Sequence, residues 1–155
     1  MPNETTHLAI ANHNQQLIEL LLPHINDYAD WITTVAFYKA LHIVEAVLSN
    51  DNTIRHGIDH QSRENILKRN SKYKHIYTYY RPLYAASLVA RYLSDGYSSF
   101  SDYLSPTDVR AKVLGHYLHQ IEQSSQRFLR NPASLSRVQL SPVAVRAGDP
   151  PTSLS

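Results

Sequence analysis

Residues Asp27–Ser49 read DYADWITTVAFYKALHIVEAVLS. At the helical period the apolar side chains fall on two adjoining stripes. One is Ile32, Val35, Ala36, Ile43, Ala46 and Val47; the other is Phe37, Leu41, Val44 and Leu48. Together they cover most of a helix's circumference, which predicts a helix at the buried centre of a bundle rather than on its surface. One narrow polar line is left over: Thr34, Tyr38, His42, Glu45 and Ser49, spaced i, i+4, i+8, i+11, i+15. A buried helix with one polar seam poses the question of what that seam faces.

Outward from this stretch the chain reads as further helices. Before it, Thr5 or Thr6 caps a helix running to about Leu22, with Leu8, Ala11, Leu17, Ile18 and Leu21 as its apolar side. Pro23 ends that helix because it lacks an amide and clashes with the preceding turn. Asp27 is the expected cap of the central helix, and the short connection makes the two helices antiparallel neighbours. After it, Ser49-Asn50-Asp51-Asn52 is a turn cluster, and Asp59 caps a helix starting near His60. Tyr73–Leu93 is a further helical stretch, which Pro82 either kinks or divides, closed at Asp95-Gly96 by a glycine free to take the left-handed conformation. Ser105-Pro106-Thr107-Asp108 opens a last helix to about Leu129, with Val109, Val113, Tyr117, Ile121 and Phe128 as its buried line and Leu114 and Leu118 beside it. Residues 131–155 carry four prolines, many serines and little periodicity, which predicts a disordered tail or a docking arm. The expected organisation is an all-α, up-and-down four- or five-helix bundle over residues 1–130 and a disordered Pro/Ser-rich tail over residues 131–155.

Composition narrows the function classes. The chain has 155 residues, 43% hydrophobic and 18% charged, with a formal net charge of +2 and nine histidines. That suits one domain with a real core, and it neither announces nor opposes nucleic-acid binding. With no cysteine, disulfides and thiolate metal sites are excluded, so any metal would need His and carboxylates. No run long enough to cross a bilayer is expected, and we read a cytoplasmic chain without a membrane partner. Eleven tyrosines against one tryptophan and three phenylalanines suit partly wet interfaces and self-association.

Three pieces of the sequence resemble the HEPN superfamily, small helical bundles of toxin–antitoxin and phage-defence systems. The first is DWITTVAFYKALHIVEAVL (Asp30–Leu48), similar to the family's aromatic-rich second helix. The second is the His-bearing turn Arg55-His56-Gly57-Ile58-Asp59-His60. The third is YRPLYAASLVARYL (Tyr80–Leu93), similar to a later Tyr-, Ser- and Arg-bearing helix. The resemblance covers about Leu8–Leu129 in helix order. It implies a bundle that works as a homodimer, and often a metal-independent endoribonuclease whose signature is Arg, four to six residues, then His. No cofactor is implied.

Arg55, His56 and His60 fit that signature, with Arg55 stabilising phosphate charge, His60 as base or acid and His56 assisting. The chemistry is coherent: cleavage of RNA by its own 2′-hydroxyl needs a base near neutral pKa and a fixed cation. A second candidate is Arg110 with His116 in the last helix, where six steps of a regular α-helix set the two about 120° apart. His42, Arg63, Tyr80 and Arg81 are candidate RNA- or nucleotide-binding residues; for His42 the plainer reading is a ring bonded to Tyr38 or Glu45 one turn away. A metal site from His56, His60, His42 and Glu45 is a rival without the paired Glu-x-x-His motifs of di-iron bundles. The leading expectation is an RNA-directed module, in its enzymatic form an endoribonuclease. The alternative is a non-catalytic subunit binding nucleotide, RNA or a partner protein such as a cognate antitoxin.

Overall fold

The computed structural model describes residues 2–55 and 59–140. Every regular element among them is helical. Seven α-helices run in order: α1 (Glu4–Leu21), α2 (Ile25–Ser49), α3 (His60–Arg69), α4 (Lys74–Tyr92), α5 (Phe100–Tyr103), α6 (Pro106–Asp108) and α7 (His119–Ser125). Between α6 and α7 lies a ten-residue π-helical stretch, Val109–Leu118.

The central position of α2 follows from its sequence. Fifteen of its residues are buried, from Ile32 to Leu48, and it packs on α1, α4, the π-helical stretch and α7. Full burial of side chains such as Ile32, Phe37 and Ile43 contributes about 1.5–3 kcal/mol each relative to exposure. By length and composition the run Glu4–Ser49 contains a window apolar enough to cross a membrane, contrary to the expectation from sequence, but 78% of that window is buried inside the bundle. A core helix produces the same signal.

Several local signals act as the residue types dictate. Asp59 caps α3 by accepting from the Ser62 amide at 2.8 Å, and Ser105 caps α6 by accepting from the Asp108 amide at 3.1 Å. Others differ. Asn3, not Thr5 or Thr6, caps α1. The central helix begins at Ile25, before Asp27, and bends where Tyr28 leaves helical geometry. On α1, Gln15 takes the buried place expected for Leu17, which stays 39% exposed. Helix α4 continues through Pro82, and its left-handed cap is Leu93 (φ 50°) rather than Gly96.

The π-helical stretch alters the last helix. Leu114 and Leu118, expected beside the buried line, are fully buried with Val109, Val113 and Ile121, while Tyr117 and Phe128, expected in that line, are only half-buried. Gly115 sits where a Cβ would lie 3.2 Å from the Arg110 carbonyl and 3.3 Å from Leu140.

The tail expectation needs correction over residues 131–140. These ten residues lie against the bundle, with Leu135 and Val138 in its core. They are held by hydrogen bonds from side chains far back in sequence. Asn12 donates to the Ser134 carbonyl at 2.7 Å and accepts from the Ser136 amide at 2.8 Å. Lys39 donates to the Ser136 carbonyl at 2.7 Å, and Glu122 accepts from the Val138 amide at 3.1 Å. The packed unit therefore extends past Arg130, and the expected tail over residues 141–155 lies outside the described residues.

Candidate functional site

The polar seam of α2 faces a cavity of about 320 Å³. Helix α1 supplies His7, α2 supplies Tyr38, Leu41, His42 and Glu45, α3 supplies His60 and Arg63, and Pro2 closes one edge. Asp59 sets this geometry: by capping α3 it starts the helix at His60 and places His60 and Arg63 one turn apart on the face toward α2.

Within the cavity the polar groups are partnered. Arg63 is buried and donates from Nε to Glu45 Oε1 at 2.6 Å, an ion pair taken almost wholly out of water. Its Nη1 lies 3.3 Å from His60 Nδ1. His7 and His42 meet at 3.1 Å, Nδ1 to Nδ1, so one ring donates and the other accepts. The His60 ring rests edge-on against Tyr84 at 5.4 Å and tilts against Phe37 at 5.9 Å. Arg91, from α4, donates from Nη1 to the Tyr38 hydroxyl at 3.1 Å and is held by Ser87 through its carbonyl and hydroxyl.

Electrostatics here favour neutral imidazole. Burial, followed by the neighbouring His7, holds the His42 pKa below its ordinary value, and the Glu45 carboxylate only partly offsets them. Burial also lowers His60, with Arg63 and Arg91 acting in the same direction. Tyr80 is buried beneath this network; burial raises its phenol to about 12, with the Arg63 guanidinium pulling the other way.

The sequence candidates separate accordingly. His60, His42 and Arg63 come together in one cavity. Arg55 is exposed and does not line it, so the guanidinium beside His60 is that of Arg63. His56 lies outside the described residues. Tyr80 is only 1% exposed, so its ring has no face to offer a base, and Arg81 lies on the surface, bonded to the Tyr77 hydroxyl at 2.9 Å. Arg110 and His116 belong to the π-helical stretch, where His116 is exposed and packs edge-on against Tyr79 at 5.1 Å. Neither lines the cavity of His42 and His60.

Two features escaped the sequence reading. One is His7, which stands in a polar stretch of α1 and is recognisable only once α1 is packed on α2. The other is Lys39, fully buried on α2, whose ammonium donates to Gln15 Oε1 at 2.7 Å, to the Ser136 carbonyl and to Glu122. A lysine between Ala36 and Ile43 on an apolar stripe was its signal.

A larger cavity, about 420 Å³, is lined by Lys72, His75, Ile76, Gln123, Ser124, Arg127 and Phe128. Its cations are engaged: Lys72 pairs with Asp51, and Arg127 donates to the Lys72 carbonyl. Among the described residues no group of three His, Asp or Glu side chains is arranged to hold a metal ion. Comparison with family models, curated proteins and solved structures gives no match to this chain.

Proposed function

We propose that this chain is an RNA-directed helical module of the HEPN type, in its enzymatic form an endoribonuclease that cleaves without a metal. The observation that carries the reading is the convergence of three imidazoles, His7, His42 and His60, with Arg63 in one cavity fed by three helices. The lowered pKa leaves these imidazoles neutral near pH 7, the form that can accept a 2′-hydroxyl proton. In that step the 2′-oxygen bonds to phosphorus as the bond to the 5′-oxygen breaks, and a protonated imidazole returns a proton to the leaving oxygen. The products are a 2′,3′-cyclic phosphate and a 5′-hydroxyl. His60 is the base, the His7–His42 pair carries the returning proton, and Arg63 replaces Arg55 as the guanidinium at the reacting phosphate. A homodimer belongs to this reading, with the exposed Ile10, Leu17 and Leu20 on one side of α1 as the face available to a second copy.

One observation favours the second reading, a non-catalytic subunit that binds RNA, nucleotide or a partner protein such as an antitoxin. The Arg63 charge is already balanced by Glu45 at 2.6 Å, which weakens its pull on a phosphate.

The two separate in one experiment. Wild type, His60→Asn, His42→Asn and Arg55→Ala are incubated with mixed single-stranded RNAs in EDTA, and cyclic-phosphate ends are measured. Cleavage by wild type and Arg55→Ala but not by the two histidine variants supports the nuclease. RNA binding without cleavage supports the binding subunit. Absence of both binding and cleavage overturns the RNA reading itself.

A further inference from the structure

Tyr38 lines the cavity of His42 and His60 and also a second cavity of about 380 Å³, whose other walls are Asp30, Trp31, Thr34, Ala90, Arg91 and Tyr92. Trp31, Thr34, Tyr38, His42 and Glu45 follow one face of α2, so the two cavities succeed one another along that helix and share Tyr38 as a wall. From Trp31 to His42 is eleven residues, about 16 Å of helix axis.

The two ends differ in chemistry. One holds the imidazoles and Arg63. The other holds aromatic faces left in solvent: Trp31 is 59% exposed and Tyr92 69% exposed. Between them Arg91 stands over the rings of Tyr38 and Tyr92, at 5.4 and 5.1 Å from their centroids. Asp30 places a carboxylate at the aromatic end, with Oδ1 accepting from the Trp31 amide at 2.8 Å. A carboxylate repels phosphate but accepts N–H donors, which the edge of a nucleobase offers. Exposed aromatic faces supply the stacking surface that a base seeks, without regard to sequence.

We infer that Trp31 and Tyr92 form a base-stacking subsite for single-stranded RNA, with Arg91 bridging it to the histidine cavity where the backbone phosphate lies. The inference rests on the RNA reading above but not on cleavage. The strand crosses at Tyr38, a base lies against Trp31 or Tyr92, and its amino edge faces Asp30. Bases presenting an N–H₂ group are favoured over uracil at this position.

Trp31 is the chain's single tryptophan, so its emission reports on this subsite alone. Binding is measured on the full-length His60→Asn protein, which removes cleavage from the readout. The probes are a twelve-nucleotide mixed RNA carrying a 3′ dye and a ribose-phosphate strand of equal length without bases. The expected result is quenching of Trp31 by the RNA and not by the base-free strand. By anisotropy, Trp31→Ala and Tyr92→Ala each weaken binding about tenfold, consistent with loss of a base stack, while Trp31→Phe and Tyr92→Phe recover most of it. RNA bound with unchanged Trp31 emission and unaltered affinity in both alanine variants overturns the subsite while leaving the RNA reading intact. A Trp31 shift that follows protein concentration without RNA also overturns it, by showing a second copy on that face. Quenching by RNA together with no cleavage by wild type supports the subsite and removes only the nuclease.

Discussion

His7 and His42 join α1 to α2 through a single hydrogen bond between like atoms, Nδ1 to Nδ1 at 3.1 Å. Such a bond survives only while at least one ring is neutral, because two imidazolium ions at that distance have no acceptor between them.

Acidification should therefore weaken the fold. The His42 pKa is lowered in the folded state, so between its ordinary and its folded value the unfolded chain binds the extra proton. The stabilisation is complete above about pH 6.5 and is lost as pH falls through the folded pKa. Urea midpoints measured from pH 7.5 to 5 should fall on the acid side, and His42→Gln should flatten that part of the profile. An unchanged profile in His42→Gln rules this source out.

Breaking the buried pair of Glu45 and Arg63 has a defined cost. Arg63→Met leaves the Glu45 carboxylate buried without its main partner and should destabilise by about 3–5 kcal/mol. Adding Glu45→Leu should recover much of that loss, because two apolar groups need no partner. Chemical denaturation of the single and double variants reads both values. Equal stability of wild type and Arg63→Met would show that the pair is not desolvated in solution.

Lys39 makes the same point for the C-terminal segment. Lys39→Met removes the donor to the Ser136 carbonyl and leaves Glu122 buried without its counter-charge, so a loss of about 3–5 kcal/mol is expected. Hydrogen exchange at the Val138 amide, which donates to Glu122 at 3.1 Å, should accelerate in the variant. Protection retained at that amide would mean the segment is held elsewhere.

Asp59→Ala should loosen the start of α3. The carboxylate accepts from the amide and hydroxyl of Ser62, and its removal leaves the first turn uncapped. Faster exchange of the Ser62 amide is the expected result, and on the proposed RNA reading the displacement of His60 and Arg63 should also weaken RNA binding. Normal exchange of the Ser62 amide would show that the first turn of α3 is held without the Asp59 cap.

How far the sequence carried depends on what each feature rests upon. The polar seam of α2 and the caps at Asp59 and Ser105 are local patterns, and they read correctly because helix period and side-chain-to-amide reach are set within a few residues. Choosing Arg55 over Arg63 as partner of His60 followed spacing along the chain, whereas the cavity depends on which face of α3 turns inward. The buried line after Val109 was drawn at 100° per residue, a step that the wider turns of Val109–Leu118 do not keep. Residues 131–140 show no periodicity because their order comes from Asn12, Lys39 and Glu122, whose nearness to them is a product of the whole fold.

Lys39 and Glu122 grip the C-terminal segment by a peptide carbonyl and a peptide amide two residues apart. Such a clasp registers the path of the segment through its backbone and is indifferent to the side chains at positions 136 and 137. Apart from Leu135 and Val138, which the core holds, much of that segment's lettering can be rewritten without unfastening it, whereas a chain cut short before residue 136 would open two buried charges to water.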